Sequence, residues 1–295
     1  GENYIYVSDP ANWKIEKYTY EGISVASFDY NFGGSPTQPY GLTVDTDGNI
    51  YFTDLYKHRI VKIDPEGNTL KIFGSVGNDK GKFIAPKDIV LDDKGYLFVT
   101  EYGNNRIQKF DSSGNYLMTI TGNFPEPKGV TVDNNGKIYV ADPSGEKVRQ
   151  LSSTGTAGWT TTFASGAQPQ DVAVDNSGNA YIAHSNTVER HDHGSGDGNF
   201  YGFYTHCSFG GDPAYWVLEN IQFPNCNLSE TKGVAVDSSG NVYVANEGNV
   251  IQKFGPSGNL ILSIGSFDII GGHQIWNQGT GNGEFDRPMR IAVDN

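Results

Sequence analysis

The sequence predicts an all-β chain closed into a six-bladed propeller, because one phrase recurs six times, each copy reads as four short strands, and the two chain ends complete one another. The phrase is Pro-x-x, four largely apolar residues ending in Asp, two polar residues, Gly-Asn and an aromatic strand. Its Asp falls at Asp45, Asp92, Asp133, Asp175, Asp237 and Asp294. The copies are thus 47, 41, 42, 62 and 57 residues apart, a unit of about 42 with extra material after the fourth and fifth. In the first copy 41–45 is strand A, 46–49 a Gly-containing turn, 50–54 strand B, 59–64 strand C and 69–74 strand D.

The last copy stops at IAVDN, residues 291–295, and the first nine residues, GENYIYVSD, continue the same phrase. The C-terminal segment is therefore expected to be the inner strand of a blade whose other three strands come from residues 1 to about 32. Such closure leaves no circumferential sheet edge. The whole of 1–295 reads as one propeller, with enlarged inter-blade loops at 210–231 and 266–287 on one face.

Composition agrees with this architecture and narrows the partners. Thirty-eight Gly, 17 Tyr and 16 Phe against two Met favour many short strands joined by tight turns. Twenty-one Lys and Arg against 34 Asp and Glu give a net charge of −13, a field that repels phosphate backbones and anionic lipid. Neither nucleic acid nor membrane insertion is expected, and no run approaches the roughly 18 apolar residues of a span. The opening Gly-Glu-Asn lacks a basic patch and an apolar stretch, as in a mature or excised segment. Cys207 and Cys226 have no CxxC spacing and are expected to form a disulfide, which implies an oxidising compartment. Asn227 opens a glycosylation sequon beside Cys226, so the expected location is extracellular or at the cell surface.

The segments PYGLTVDTDGNIYFTD, PKGVTVDNNGKIYVAD, KGVAVDSSGNVYVAN and NNRIQKFDSSGN resemble NHL repeats. The resemblance covers nearly the whole chain. It implies a six-bladed propeller in a family that includes ligand- and protein-binding modules, sensor domains, RNA-binding domains and a few lyases, so fold alone does not choose the function.

Comparing the copies with one another separates framework from site. The six turn acids sit beside Gly-containing turns, where Asp bonds backbone NH groups two residues on. Strand B ends in Asp9, Asp54, Glu101, Asp142, His184 and Asn246, and each of the four acids is followed five residues later by Lys14, Arg59, Arg106 or Lys147. This reads as a charge clasp within the blade, which frees His184 and Asn246 for recognition. Two residues into strand A the ring reads Gly41, Asp88, Gly129, Asp171, Gly233, Arg290. Its charged members either bridge one another across the channel through water or hold a polar ligand. Asp88 and Asp171 are the candidate ligands for a hard cation such as calcium, although no cofactor is expected.

His58, in DLYKHRIVKID, resembles the His-bearing segment of peptidyl-α-hydroxyglycine lyases. The resemblance implies further histidines where strand A begins, but Tyr40, Lys87, Lys128, Gln170, Lys232 and Met289 stand there. Of the blade-four histidines, His184 and His206 are expected at one end of the blade and His191 and His193 at the other, which disfavours a four-His zinc site. No GxSxG, HExxH or P-loop occurs. The enlarged loops project Tyr215, Trp216, Phe223, Ile269, Ile270 and Trp276 on the face where strands B end. The expected function is non-catalytic binding or assembly through that face, with a protein partner, self-association or a small polar ligand at the channel mouth. Asp171, His184, Tyr215, Trp216, Asn246, Trp276 and Arg290 are its candidate residues. The alternative is a divalent-cation-dependent lyase or hydrolase at the channel mouth.

Overall fold

The structure, a computed structural model, describes residues 3–30, 37–122, 124–163, 166–185, 187–191, 200–201, 230–265, 267–270, 273–276 and 284–294. Short strands with alternating apolar positions and Gly turns pair as antiparallel meanders, one per sequence copy. The chain starts with β1 (Tyr4–Asp9), β2 (Lys14–Thr19) and β3 (Ser24–Asp29). Blade one is β4 (Pro39–Val44), β5 (Ile50–Asp54), β6 (Arg59–Ile63) and β7 (Thr69–Phe73). Blade two is β8 (Pro86–Leu91), β9 (Leu97–Glu101), β10 (Arg106–Phe110) and β11 (Tyr116–Thr121). Blade three is β12 (Val130–Val132), β13 (Ile138–Asp142), β14 (Lys147–Leu151) and β15 (Ala157–Thr162). Blade four is β16 (Pro169–Val174), β17 (Ala180–His184), β18 (Thr187–His191) and β19 (Phe200–Tyr201). Blade five is β20 (Thr231–Val236), β21 (Val242–Asn246), β22 (Val250–Phe254) and β23 (Leu260–Ile264).

After blade five come β24 (Phe267–Ile270) and β25 (His273–Trp276), a separate two-stranded hairpin inside what the sequence reads as loop 266–287. The last strand, β26 (Arg290–Val293), pairs antiparallel with β1 from Ile5↔Val293 to Ser8↔Arg290 and completes blade six as β26-β1-β2-β3. The inner strands then touch in the cyclic order β26, β4, β8, β12, β16, β20 and back to β26. Ring closure is thus as the chain ends predict.

Stability resides between blades. Six apolar clusters each span a pair of neighbouring sheets: Ile5, Tyr18, Tyr243 and Ile251 join blades five and six, and Tyr51, Ile60, Phe83 and Leu97 join one and two. The second strand of every blade contributes a buried aromatic, Tyr6, Tyr51, Phe98, Tyr139, Tyr181 and Tyr243. Removing such rings from water supplies the main favourable energy of each interface.

Five of the six turn acids behave as the repeat predicts. Asp45 Oδ1 accepts from the backbone NH of Asp47 and Asn49, and the same pattern recurs at Asp92, Asp133, Asp175 and Asp237. At the opposite end, each turn from second to third strand holds one residue with positive φ: Trp13, His58, Asn105, Glu146, Ser185 and Asn249. His58 is therefore a turn residue, and its Nδ1 accepts from the Ala85 backbone NH at 3.0 Å.

Candidate functional site

The face holding these turns also receives the connections that enter each inner strand, as Leu55 NH to Gln38 O and Tyr102 NH to Ala85 O show. At that end the six inner strands bring Gly41, Asp88, Gly129, Asp171, Gly233 and Arg290 to the axis. Asp88, Asp171 and Arg290 are buried, at 5%, 4% and 4% exposure. Arg290 Nη1 lies 2.9 Å from Asp171 Oδ2 and Nε 3.4 Å from Asp88 Oδ1. The pairing is direct, which corrects the water-bridged expectation, and it withdraws Asp171 and Arg290 from the surface where recognition was expected. The same geometry gives the cation-ligand candidates Asp88 and Asp171 an arginine partner. Each carboxylate also accepts a backbone NH from the next blade, Val130 to Asp88 and Val234 to Asp171, both at 2.9 Å.

Alternation with glycine is what lets three charged side chains fit. A Cβ on Gly129 would stand 2.3 Å from Asp171 Oδ1, and one on Gly41 would stand 2.5 Å from Asp88 Cα, closer than packed atoms approach. Beyond the triad a cavity of about 310 Å³ runs along the inner strands toward Asp45 and Asp294 at the other end. Arg290 therefore closes the axis at the end bearing the long connections.

A ring of hydroxyls explains why the arginine sits where it does. Ser8 Oγ, Thr53 Oγ1 and Thr100 Oγ1 donate to the carbonyls of Tyr40, Lys87 and Lys128 in the following blades, at 2.6, 3.2 and 2.6 Å. The corresponding residues in blades three, four and five are Ala141, Ala183 and Ala245. Across that half of the ring Arg290 donates instead, from Nη1 to Lys232 O at 2.8 Å and from Nη2 to Gln170 O at 3.2 Å. In the sequence the residue before the strand-end position is Ser or Thr in three copies and Ala in three, but sequence alone does not show which carbonyl it reaches.

Two carboxylates share one guanidinium, so burial raises both, and Asp171 is pushed up to about 7 by desolvation and by Asp88, against the pull of Arg290. The folded state thus binds a proton at the coupled Asp88–Asp171 pair more readily than the unfolded chain, whose Asp releases it near 3.8. Its contribution to stability is complete below that value and is lost as pH rises through about 7. We expect Asp171→Asn, which stays neutral, to flatten the fall in urea midpoint between pH 4.5 and 8. An unchanged slope in the variant would show that this carboxyl is not the one titrating.

The strand-end acids form the clasp in two blades, Arg59–Asp54 at 2.9 Å and Arg106–Glu101 at 2.6 Å. Asp142 instead accepts from the Gly145 and Glu126 NH groups, and Asp9 from the Asn12 amide and the Asp286 NH, with burial pushing Asp9 up to about 6. The expectation that His184 and Asn246 are free for recognition is corrected. Asn246 is fully buried and its Oδ1 accepts from the Gly248 NH at 2.8 Å. His184 is buried 5.0 Å from the Phe163 ring, with Nε2 2.9 Å from Glu189 Oε1. His191 Nε2 lies 3.7 Å from Glu189 Oε2, so the two histidines occupy opposite ends of the strand pair, as traced, while one glutamate between them faces both. The histidines hold Glu189 down at about 2 despite its burial. Among the described residues no group of three or more His, Cys, Asp or Glu is placed to hold a metal ion.

Tyr215, Trp216, Phe223, His193, His206, Cys207, Cys226 and Asn227 lie outside the described residues. Trp276 ends β25 and pairs in register with Phe267, and Ile269 and Ile270 lie on the facing strand.

No protein-family model matches the chain, so the NHL reading of its repeats rests on their residues. Local sequence similarity reaches the peptidylglycine alpha-amidating monooxygenase of Rattus norvegicus, 41% identical over 56 residues, which is 17% of this chain and 6% of that protein. It also reaches the B form from Xenopus laevis, 32% identical over 92 residues, 30% of this chain and 9% of that one. The chain thus matches under a tenth of the length of these curated relatives. Among solved structures a nidogen/laminin complex aligns with a TM-score of 0.70 at 14% identity, covering 99% of this chain and 98% of that chain. Virginiamycin B lyase from Staphylococcus aureus aligns with a TM-score of 0.57 at 18% identity, over 77% and 70%. At these identities the likeness is one of architecture: this chain is a six-bladed β-propeller.

Proposed function

We propose that residues 1–295 form an NHL-type propeller that acts outside the cytoplasm as a non-catalytic binding or assembly module, engaging a protein partner or a second copy through the face bearing the long connections. The observation that carries this reading is the β24–β25 hairpin, an element beyond the four strands each blade needs, within the connection that re-enters the ring beside the Asn249 turn. Long insertions on a rigid scaffold are where binding function concentrates. The likeness to a propeller solved in a nidogen/laminin complex, along nearly the whole chain, supports a protein partner. A Cys207–Cys226 disulfide and a glycan on Asn227 belong to the same proposal. With the triad and the strand-end residues buried, the contact patch is drawn from the insertions: Tyr215, Trp216 and Trp276.

Trp216→Ala, Trp276→Ala and replacement of 266–283 by a short Gly-Ser turn are expected to weaken association measured by sedimentation while leaving the melting temperature nearly unchanged. Truncating an aromatic hot spot costs about 2 kcal/mol or more of binding. Lost stability with unchanged association would show that the tryptophans pack inward.

A second reading, a divalent-cation-dependent lyase or hydrolase, is favoured by the likeness to virginiamycin B lyase and by the local similarity to the amidating monooxygenases. It requires Arg290 to release Asp88 and Asp171 to a cation. Metal analysis of protein purified without chelator separates the readings, since stoichiometric calcium or zinc at the axis supports the enzyme.

A further inference from the structure

In a chain of net charge −13, three lysines stand on one rim, preceding three of the six axial positions: Lys87, Lys128 and Lys232. Lys232 is neutralised by Glu230 at 2.6 Å and Glu247 at 3.0 Å. Lys87 and Lys128 differ, because among the described residues no carboxylate lies within ion-pair distance of either. Lys128 Nζ donates to the neutral Gln170 Oε1, at 2.8 Å. Lys87 Nζ sits 4.1 Å from the centre of the Tyr40 ring and 5.6 Å from that of Tyr102. Burial and the nearby charges of Lys128 and Arg290 press Lys87 down to about 8, and burial and Arg290 lower Lys128 as well, against the pull of Glu126 and Glu230. Burial raises the Tyr40 phenol, with Arg290 and Lys232 acting to lower it and Asp88 and Asp171 to raise it.

We propose that this rim is an anion-binding site, centred on Lys87 and Lys128 and completed by the Tyr40 hydroxyl, that receives a single carboxylate from an acidic side chain of a protein partner. The proposal rests on the binding-module reading and adds the chemistry of the partner. Two ammonium groups and a phenol supply donors for the two oxygens of a carboxylate. A dianion fits worse, because the guanidinium directly beneath is already matched by Asp88 and Asp171 and brings no net positive charge to the floor. The rest of the surface repels acidic partners, so attraction confined to the axis selects one projecting side chain and sets its register.

The test titrates acetyl-Gly-Asp-Gly-amide, its Asn counterpart and inorganic phosphate at low salt into protein carrying 13C-lysine, following the ε-methylene resonances by NMR. The Asp peptide is expected to shift the Lys87 and Lys128 signals and the Asn peptide to leave them unmoved. Lys87→Met and Lys128→Met keep the apolar stem and should each weaken binding at least about tenfold. Lys94→Met, exposed at a turn on the other face, should not. The proposal is overturned if millimolar Asp peptide moves neither lysine, if the two variants bind as well as the parent, or if phosphate binds more tightly than the carboxylate. Spectra of each variant establish that it folds. Association that still depends on the β24–β25 hairpin, with no carboxylate bound, would sink this inference and leave the binding-module reading standing.

Discussion

Deleting residues 286–295 should abolish cooperative unfolding. The segment supplies β26, whose ladder to β1 is extended by Met289 NH to Ser8 O and Asp294 NH to Tyr4 O, both at 3.0 Å, and by Tyr20 hydroxyl to Asp294 O at 2.9 Å. Each hydrogen bond is worth about 1 kcal/mol net. Ile291, buried between blades five and six, adds about 1.5–3 kcal/mol. Arg290 leaves with the strand, stripping the axial carboxylates of their counterion. These losses together rival the roughly 5–15 kcal/mol that separates a folded domain from its unfolded state. They also open the ring, exposing β1 and β20 to water where β26 had touched both β20 and β4. Calorimetry of the truncated protein should show a broad, low-temperature transition. A sharp transition at the temperature of the full chain would mean that the ring does not depend on its last strand.

Arg290→Met separates the charge from the strand. The variant keeps β26 but leaves Asp88 and Asp171 buried with no cation and the carbonyls of Gln170 and Lys232 without donors. Breaking a buried ion pair by removing one partner costs about 3–5 kcal/mol, a fall in melting temperature on the order of 10 °C for a chain of this size. The sign of the pH dependence follows from the same charges. Burial already raises both carboxyls, and without the guanidinium both rise further, so the variant recovers part of its stability as pH falls and they become neutral. Arg290→Lys, with charge but no planar fork, should fall between the two. An Arg290→Met protein as stable as the parent at pH 8 would show that the triad is not the lock of the axis. A variant as crippled as the truncation would assign ring closure to the arginine alone.

Period and pattern carried most of the architecture. The recurring phrase placed four strands per blade, and the split phrase at the two ends placed β26 beside β1, because alternation of apolar residues and turn chemistry act over a few residues and leave their mark locally. The Gly, Asp, Gly, Asp, Gly, Arg series was equally visible as a departure from the repeat, as was the loss of the strand-end acid in blades four and five.

What those departures do was decided by tertiary structure. Whether Arg290 bonds a ligand, a water or two aspartates depends on bringing residues 88, 171 and 290 to one axis, which ring closure alone accomplishes. His184 and Asn246 look free when only the loss of the strand-end acid is read. Phe163 from the neighbouring blade buries one, and the fold of its own turn occupies the other. The rim lysines are ordinary one at a time, and only the closed ring brings Lys87 and Lys128 near Arg290. Strand pattern is local chemistry and can be read along the chain, whereas burial and the balance of charge at a point are sums over residues that only the closed ring makes neighbours.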